Sequence, residues 1–353
     1  MQWTDWPDAV LQTLRRGVVI PASPLALDAR RHFDPRRQRA LARYYMDAGS
    51  GGIAIGVHTT QFEIRDVGLY EPVLETVANA MDAWTDKPML RITGLVGKTA
   101  QAIREAETAK ALGYHAGLLN LAAYRGASED EIIAHCRAIA EKIPLIGFYM
   151  QTAVGGIALS VEFWHRFAEI ENVIAIKIAP FNRYQTLDVM RGVVAANAEA
   201  RISIYTGNDD HIVMDLITPF TFFRDGEMVT VRVVGGLLGH WSVWTKAAVD
   251  LLGKCQAAIG NNCIDNDLLA LDSQVTDCNA ALFDVDNKFA GCIAGVHEVL
   301  RRQGLLEGTW CLNPDESLSA GQAAKLDRVC ADYPHLIDDD FVSQNISRWL
   351  EHN

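Results

Sequence analysis

The chain has no C-x-x-C pair, and none of its seven cysteines has a histidine at zinc-finger spacing. That removes the common structural zinc sites, and an odd count spread from Cys136 to Cys330 reads as reduced, mostly buried thiols. No run approaches the roughly 20 apolar residues needed to cross a bilayer. Positive charge is also short: 32 basic against 44 acidic residues leave −12, which argues against nucleic acid or an anionic membrane as the partner. The start, Met1 to Asp8, lacks the basic and apolar segments of a signal peptide, so the expected location is the cytoplasm. There is no Walker loop, no H-E-x-x-H, no G-x-S-x-G, and no G-x-G-x-x-G after the first apolar run.

What is present is a large apolar share, 49%, arranged with a repeating order. Eight short apolar runs recur: Val18–Pro21, Ile53–Gly56, Met89–Thr93, His115–Asn120, Leu145–Tyr149, Val173–Ile178, Ile202–Thr206 and Val229–Leu237. Near-continuous apolar runs are the pattern of parallel strands covered on both faces. Between them lie amphipathic segments, such as Pro35–Ala48 ending at Gly49 and a helix opened by the capping box Ser128–Glu131. Strict alternation over eight units predicts a (β/α)₈ barrel over residues 1–245, with an open doubly wound sheet as the alternative. After residue 245 only helical segments follow, Leu268–Phe283, Ala290–Gln303 and Ser319–Val329 among them, so 246–353 is expected to be a helical extension.

In a barrel of this kind chemistry gathers at the C-terminal strand ends. The candidates there are Pro21, Ser23, His58, Thr59, Thr60, Arg91, Thr93, Asn120, Tyr124, Tyr149, Lys177, Thr206, Asn208 and His240. Lys177 stands apart, because it ends the otherwise apolar run Val173–Ala179. Burial disfavours the ammonium, lowers the pKa and leaves an amine able to attack a ketone or aldehyde. The competing reading is a lysine snorkelling to the rim. Tyr149 ends the preceding run and is expected to share the cavity, where its hydroxyl would relay protons, unless it serves only as a packing residue. Asp209 and Asp210 read as the N-terminus of a helix rather than as ligands. Gly235–His240 reads as a tight turn.

A strand ending in Tyr149, followed by Ile174-Ala175-Ile176-Lys177, resembles the dihydrodipicolinate synthase / N-acetylneuraminate lyase family. Element order and spacing agree over about residues 15–245. Thr206-Gly207-Asn208-Asp209-Asp210 resembles the family's turn after strand seven, and Gly155-Gly156 follows Tyr149 as a family glycine does. The resemblance implies Lys177 as the Schiff-base lysine, Tyr149 as the proton relay and Tyr124 as its partner at a neighbouring subunit. It also implies a homotetramer, a 2-keto acid with an aldehyde or sugar acid as substrates, and no metal or cofactor beyond the lysine imine.

The sequence departs from the family at three places. The G-T-T-G-E loop is replaced by Gly56-Val57-His58-Thr59-Thr60-Gln61, so the carboxylate is expected to fall to His58, Thr59 and Thr60, with Gly207 and Asn208 nearby. Met150-Gln151-Thr152 replaces N-x-P, and Val154 stands in the place of an arginine, which argues against a dihydrodipicolinate synthase proper. A lyase or aldolase is the leading expectation. A sugar-acid dehydratase using the same imine and a catalytically silent ligand-binding barrel are the alternatives.

Overall fold

The computed structural model describes residues 1–351. Eight parallel strands, each preceded or followed by helix, make one sheet: β1 (Val19–Pro21), β2 (Gly52–Ile55), β3 (Leu90–Leu95), β4 (Ala116–Leu119), β5 (Leu145–Met150), β6 (Val173–Ala179), β7 (Ser203–Thr206) and β10 (Val233–Leu238). The order runs β1-β10-β7-β6-β5-β4-β3-β2, and hydrogen bonds from Gly51 N–H to Val19 and from Ser23 N–H to Ala54 join the two ends. The sheet is therefore a closed (β/α)₈ barrel.

The last apolar run of the sequence divides. Residues before Arg232 belong to an antiparallel hairpin, β8 (Phe220–Arg224) with β9 (Glu227–Val231), and only Val233 onward joins the barrel. Periodicity does not reveal this break, because Val231 and Val233 continue one β-branched run across it.

Two apolar layers result from the alternation of side chains along each strand. The outer layer packs strands against helices and continues without a break into the C-terminal helices α9 (Thr245–Gly260), α10 (Asn266–Leu282), α11 (Cys292–Arg302), α12 (Gln322–Asp332) and α13 (Asp339–Trp349). The inner layer fills the barrel with Ile20, Ala54, Ile92, Leu118, Ile146, Ala175 and Leu237. The first helix, α1 (Asp8–Arg16), inserts Val10 and Leu14 into that inner layer from below, together with Trp6 just ahead of it. Tyr205 donates a hydrogen bond to the Leu14 carbonyl at 2.7 Å and fixes the plug. Among the described residues the plug fills the N-terminal end of the barrel, and the cavity opens at the C-termini of the strands. No helix among the described residues is long and apolar enough to cross a membrane.

Candidate active site

Side-chain direction on β5 and β6 decides which residues meet. Leu145 pairs with Val173, but Ile146 pairs with Ala175, so Ile174 is an extra residue bulged out of register. Ile174 and Ala175 accordingly both face the barrel interior. Past the bulge, Phe148 becomes the partner of Lys177, and Tyr149 the partner of Ile178. Register partners of a parallel pair lie on one face, so Phe148 and Lys177 point into the mouth together. The Lys177 Nζ rests 4.5 Å from the centre of the Phe148 ring.

Tyr149 points the other way, contrary to expectation. Its ring packs on Trp164 of helix α6 (Val161–Ala168), with centroids 5.1 Å apart. Its hydroxyl accepts a hydrogen bond from Leu159 N–H at 3.2 Å. The side chain is buried between barrel and helix, on the far side of the strand from Lys177.

Lys177 opens into a cavity bounded by Val57, His58, Thr59, Leu118, Phe148, Met150, Gln151, Asp209, Phe283, Phe289 and Cys292, among others. Gly207 makes room for it: a Cβ there would sit 2.5 Å from the lysine Cε. Burial lowers the Lys177 pKa, opposed in part by the negative charge of Asp209. The same burial raises the pKa of Asp209, opposed by Lys177. Each group is thus driven toward its neutral form, and one carboxylate oxygen of Asp209 is shut off from water without a hydrogen-bond partner. Asp209 does not cap the following helix as expected. That helix, α8 (Ile212–Ile217), starts three residues later with His211 at its N-cap.

His58 lines the same cavity, and burial lowers its pKa to about 4, helped by the Lys177 charge, so the ring is neutral at pH 7. Thr59 also lines it, but its hydroxyl donates to the Ala22 carbonyl at 2.6 Å. Thr60 donates to the Ser23 carbonyl at 2.7 Å and lies behind the wall. The two threonines therefore tether one loop to another, while Thr60 N–H closes the turn onto the Val57 carbonyl at 3.0 Å and leaves the N–H groups of His58 and Thr59 at its head without an acceptor in the turn. Gln61 links this turn to the C-terminal region by accepting from Leu312 N–H at 2.6 Å.

Asn208 does not face the cavity. Its amide donates to Thr186 and Asp215 and accepts from Phe181 N–H. Tyr124 lies outside as well: its hydroxyl meets Thr99 at 2.8 Å, its ring stacks near His135, and Lys98 Nζ sits 3.9 Å above it. Of the residues expected at the site, the fold brings together Lys177, His58, Thr59 and Gly207, and it adds Asp209. Tyr149, Tyr124, Thr60 and Asn208 are held elsewhere. A signal for Asp209 did exist, an acid three residues beyond a strand end, but the helix-start reading absorbed it.

The model of the dihydrodipicolinate synthetase family matches residues 16–218. N-acetylneuraminate lyase 2 of Escherichia coli O6:H1 is 23% identical over 301 residues, 84% of this chain and 87% of its own. A 4-hydroxy-tetrahydrodipicolinate synthase of Desulforudis audaxviator is 27% identical over 253 residues, 70% of this chain and 81% of its own. Among solved structures, the chloride-inhibited dihydrodipicolinate synthase of Acinetobacter baumannii, complexed with pyruvate, superposes with a TM-score of 0.73 at 18% identity, over 90% of this chain and 99% of that one. CdNal of Clostridium difficile, in complex with mannosamine, gives 0.72 at 15% identity, over 90% and 99%. A sequence match over more than half of the chain, on the barrel these structures share, makes it a member of the dihydrodipicolinate synthetase family.

Proposed function

We propose that the chain is a Schiff-base-forming carbon–carbon lyase or aldolase acting on pyruvate or a related 2-keto acid, with Lys177 as the nucleophile and Asp209 as the proton carrier. The observation that supports it most is that these two side chains share one largely apolar cavity, each shifted toward its neutral form. Perturbed acid and amine groups meeting in a cleft are what proton-transfer chemistry needs near neutral pH. The names of the relatives point the same way.

The neutral Lys177 amine adds to the keto carbon, and loss of water leaves the protonated imine. That cation withdraws electrons from the neighbouring C–H bond, whose proton passes to a base, and an enamine results. The enamine carbon attacks an aldehyde, the new oxygen takes a proton, and water releases the hydroxy keto acid and regenerates the lysine. Cleavage is the reverse. Asp209 is suited to both proton transfers because its raised pKa keeps the acid and its conjugate base accessible. The keto-acid carboxylate is assigned to the N–H groups heading the His58–Thr60 turn, with the neutral His58 ring beside it. Tyr124, which does not bound the Lys177 cavity, is assigned to a subunit contact in a homotetramer.

The test is pyruvate with borohydride, followed by mass spectrometry. One irreversible adduct per chain is expected on the wild type, mapping to Lys177, and none on Lys177→Ala. An adduct on another lysine, or turnover by Lys177→Ala, would overturn the assignment.

A further inference from the structure

The mouth of the barrel has a roof that the barrel itself does not supply. Phe283 follows the last residue of α10, Phe289 comes from the loop into α11, and Cys292 opens that helix. On the barrel side Phe181 and Met150 face them across the cavity.

Two of these phenylalanines hold a backbone conformation that bulky residues avoid. Phe181 has φ 52° and Phe289 has φ 67°. Glycine or asparagine is the ordinary occupant of the left-handed region, and a bulky side chain there is strained. Such strain persists where the surroundings over-determine it, most often at ligand sites. Here the two strained residues meet each other, ring edge to ring face, with centroids 6.1 Å apart. The loop carrying Phe289 is braced by the buried Asp284, which accepts from Asn287 at 2.7 Å and from Gly291 N–H at 3.2 Å. The third ring is accommodated by Gly239, where a Cβ would lie 2.9 Å from Phe283 Cζ. Among the described residues bounding the cavity, Lys177 is the only lysine or arginine.

We infer that the second reactant is an aldehyde with a flat apolar far end, an aromatic aldehyde, and that the Phe181–Phe283–Phe289 cluster selects it. Buried hydroxyls facing phenyl walls would lose their hydrogen bonds to water without replacement. A distal carboxylate would find no cation beyond the lysine already engaged in the imine. Aromatic rings, in contrast, gain from edge and face contacts in such a cup. The inference rests on the imine reading above, and the chemistry is the same: the enamine carbon bonds to the aldehyde carbon, the aldehyde oxygen gains a proton, and water frees a 4-aryl-4-hydroxy-2-keto acid.

The experiment measures kcat/KM for condensation of pyruvate with benzaldehyde, glyceraldehyde and succinic semialdehyde, with products identified by mass spectrometry. Benzaldehyde is expected to lead the other two by about 10²-fold, the usual reach of an apolar pocket against added hydroxyls. Phe289→Ala should lower the benzaldehyde value by about tenfold and narrow its lead over the other two. Val154→Arg, a change on a partly exposed turn at the cavity rim, should raise the value for succinic semialdehyde and lower that for benzaldehyde. A preference for either polar aldehyde, or variants that weaken all three equally, would overturn the substrate class. A pyruvate adduct formed in the same samples keeps the imine reading intact in that event; if no adduct forms, both readings fall together.

Discussion

Two buried carboxylates stand six residues apart beyond β7, and they have opposite surroundings. Asp215, fully buried, accepts from Thr206 Oγ1 at 2.6 Å and Asn208 Nδ2 at 3.0 Å and pairs with the Arg183 guanidinium. Asp209 faces the cavity with one oxygen unpartnered and its pKa raised by burial. A charge whose lone pairs are filled is scaffold, since nothing is left to exchange with a substrate. A charge left partly unsatisfied beside an amine is available for chemistry. Asp215 also explains Asn208 and Thr206, which hold the β7 turn in shape while Asp209 and Gly207 present themselves to Lys177.

The sharpest break of this comparison is Asp209→Asn, which removes the proton carrier and keeps the volume. Turnover is expected to fall by roughly 10²–10⁴-fold, with Tm unchanged or raised, because the cost of holding a buried carboxylate is removed. The pH dependence of pyruvate trapping should shift as well. The Asp209 carboxylate favours the ammonium form of Lys177, so without it the amine deprotonates at lower pH and the rise in trapping moves to lower pH. Unchanged turnover in Asp209→Asn would sink its assignment as proton carrier.

Asp215→Ala should give the opposite profile. Its removal leaves the buried Thr206 hydroxyl without its acceptor, which costs about 1–3 kcal/mol, while the partly exposed Arg183 turns to water; denaturant unfolding should register a lower midpoint. If Asp215→Ala is as stable as the wild type, Asp215 is not the scaffold charge described here.

The smallest effect is expected from Tyr149→Phe. It loses the hydrogen bond from Leu159 N–H, worth about 1 kcal/mol, and turnover should stay within about twofold because the ring does not reach the cavity. A loss of 10² or more, measured by steady-state kinetics, would restore Tyr149 as the proton relay and displace Asp209.

Much of this was legible beforehand. Parallel strands buried on both faces are written as apolar runs, so their number and order could be read directly, and a lone lysine ending such a run drew attention to itself. The hairpin β8–β9 escaped because its second strand and the last barrel strand form one β-branched stretch. Tyr149 was misplaced for a different reason. The 28-residue spacing from Tyr149 to Lys177 would make them partners in an unbroken register, and one bulged residue, Ile174, shifts the partnership to Phe148. Since side chains alternate with period two, a slip of one residue reverses which face each occupies.

The sequence by itself thus determined the barrel, its parallel order and the amine at its mouth, because burial requires apolar residues wherever water is excluded and any exception stands out. Only the tertiary structure decided which neighbours that amine would have. The bulge in β6 turned Lys177 into the mouth opposite Phe148, the turn after β7 sent Asp209 inward and Asn208 outward, and residues about a hundred positions downstream of Lys177 closed the roof. None of these is encoded in local periodicity, because each depends on contacts between segments far apart in the chain.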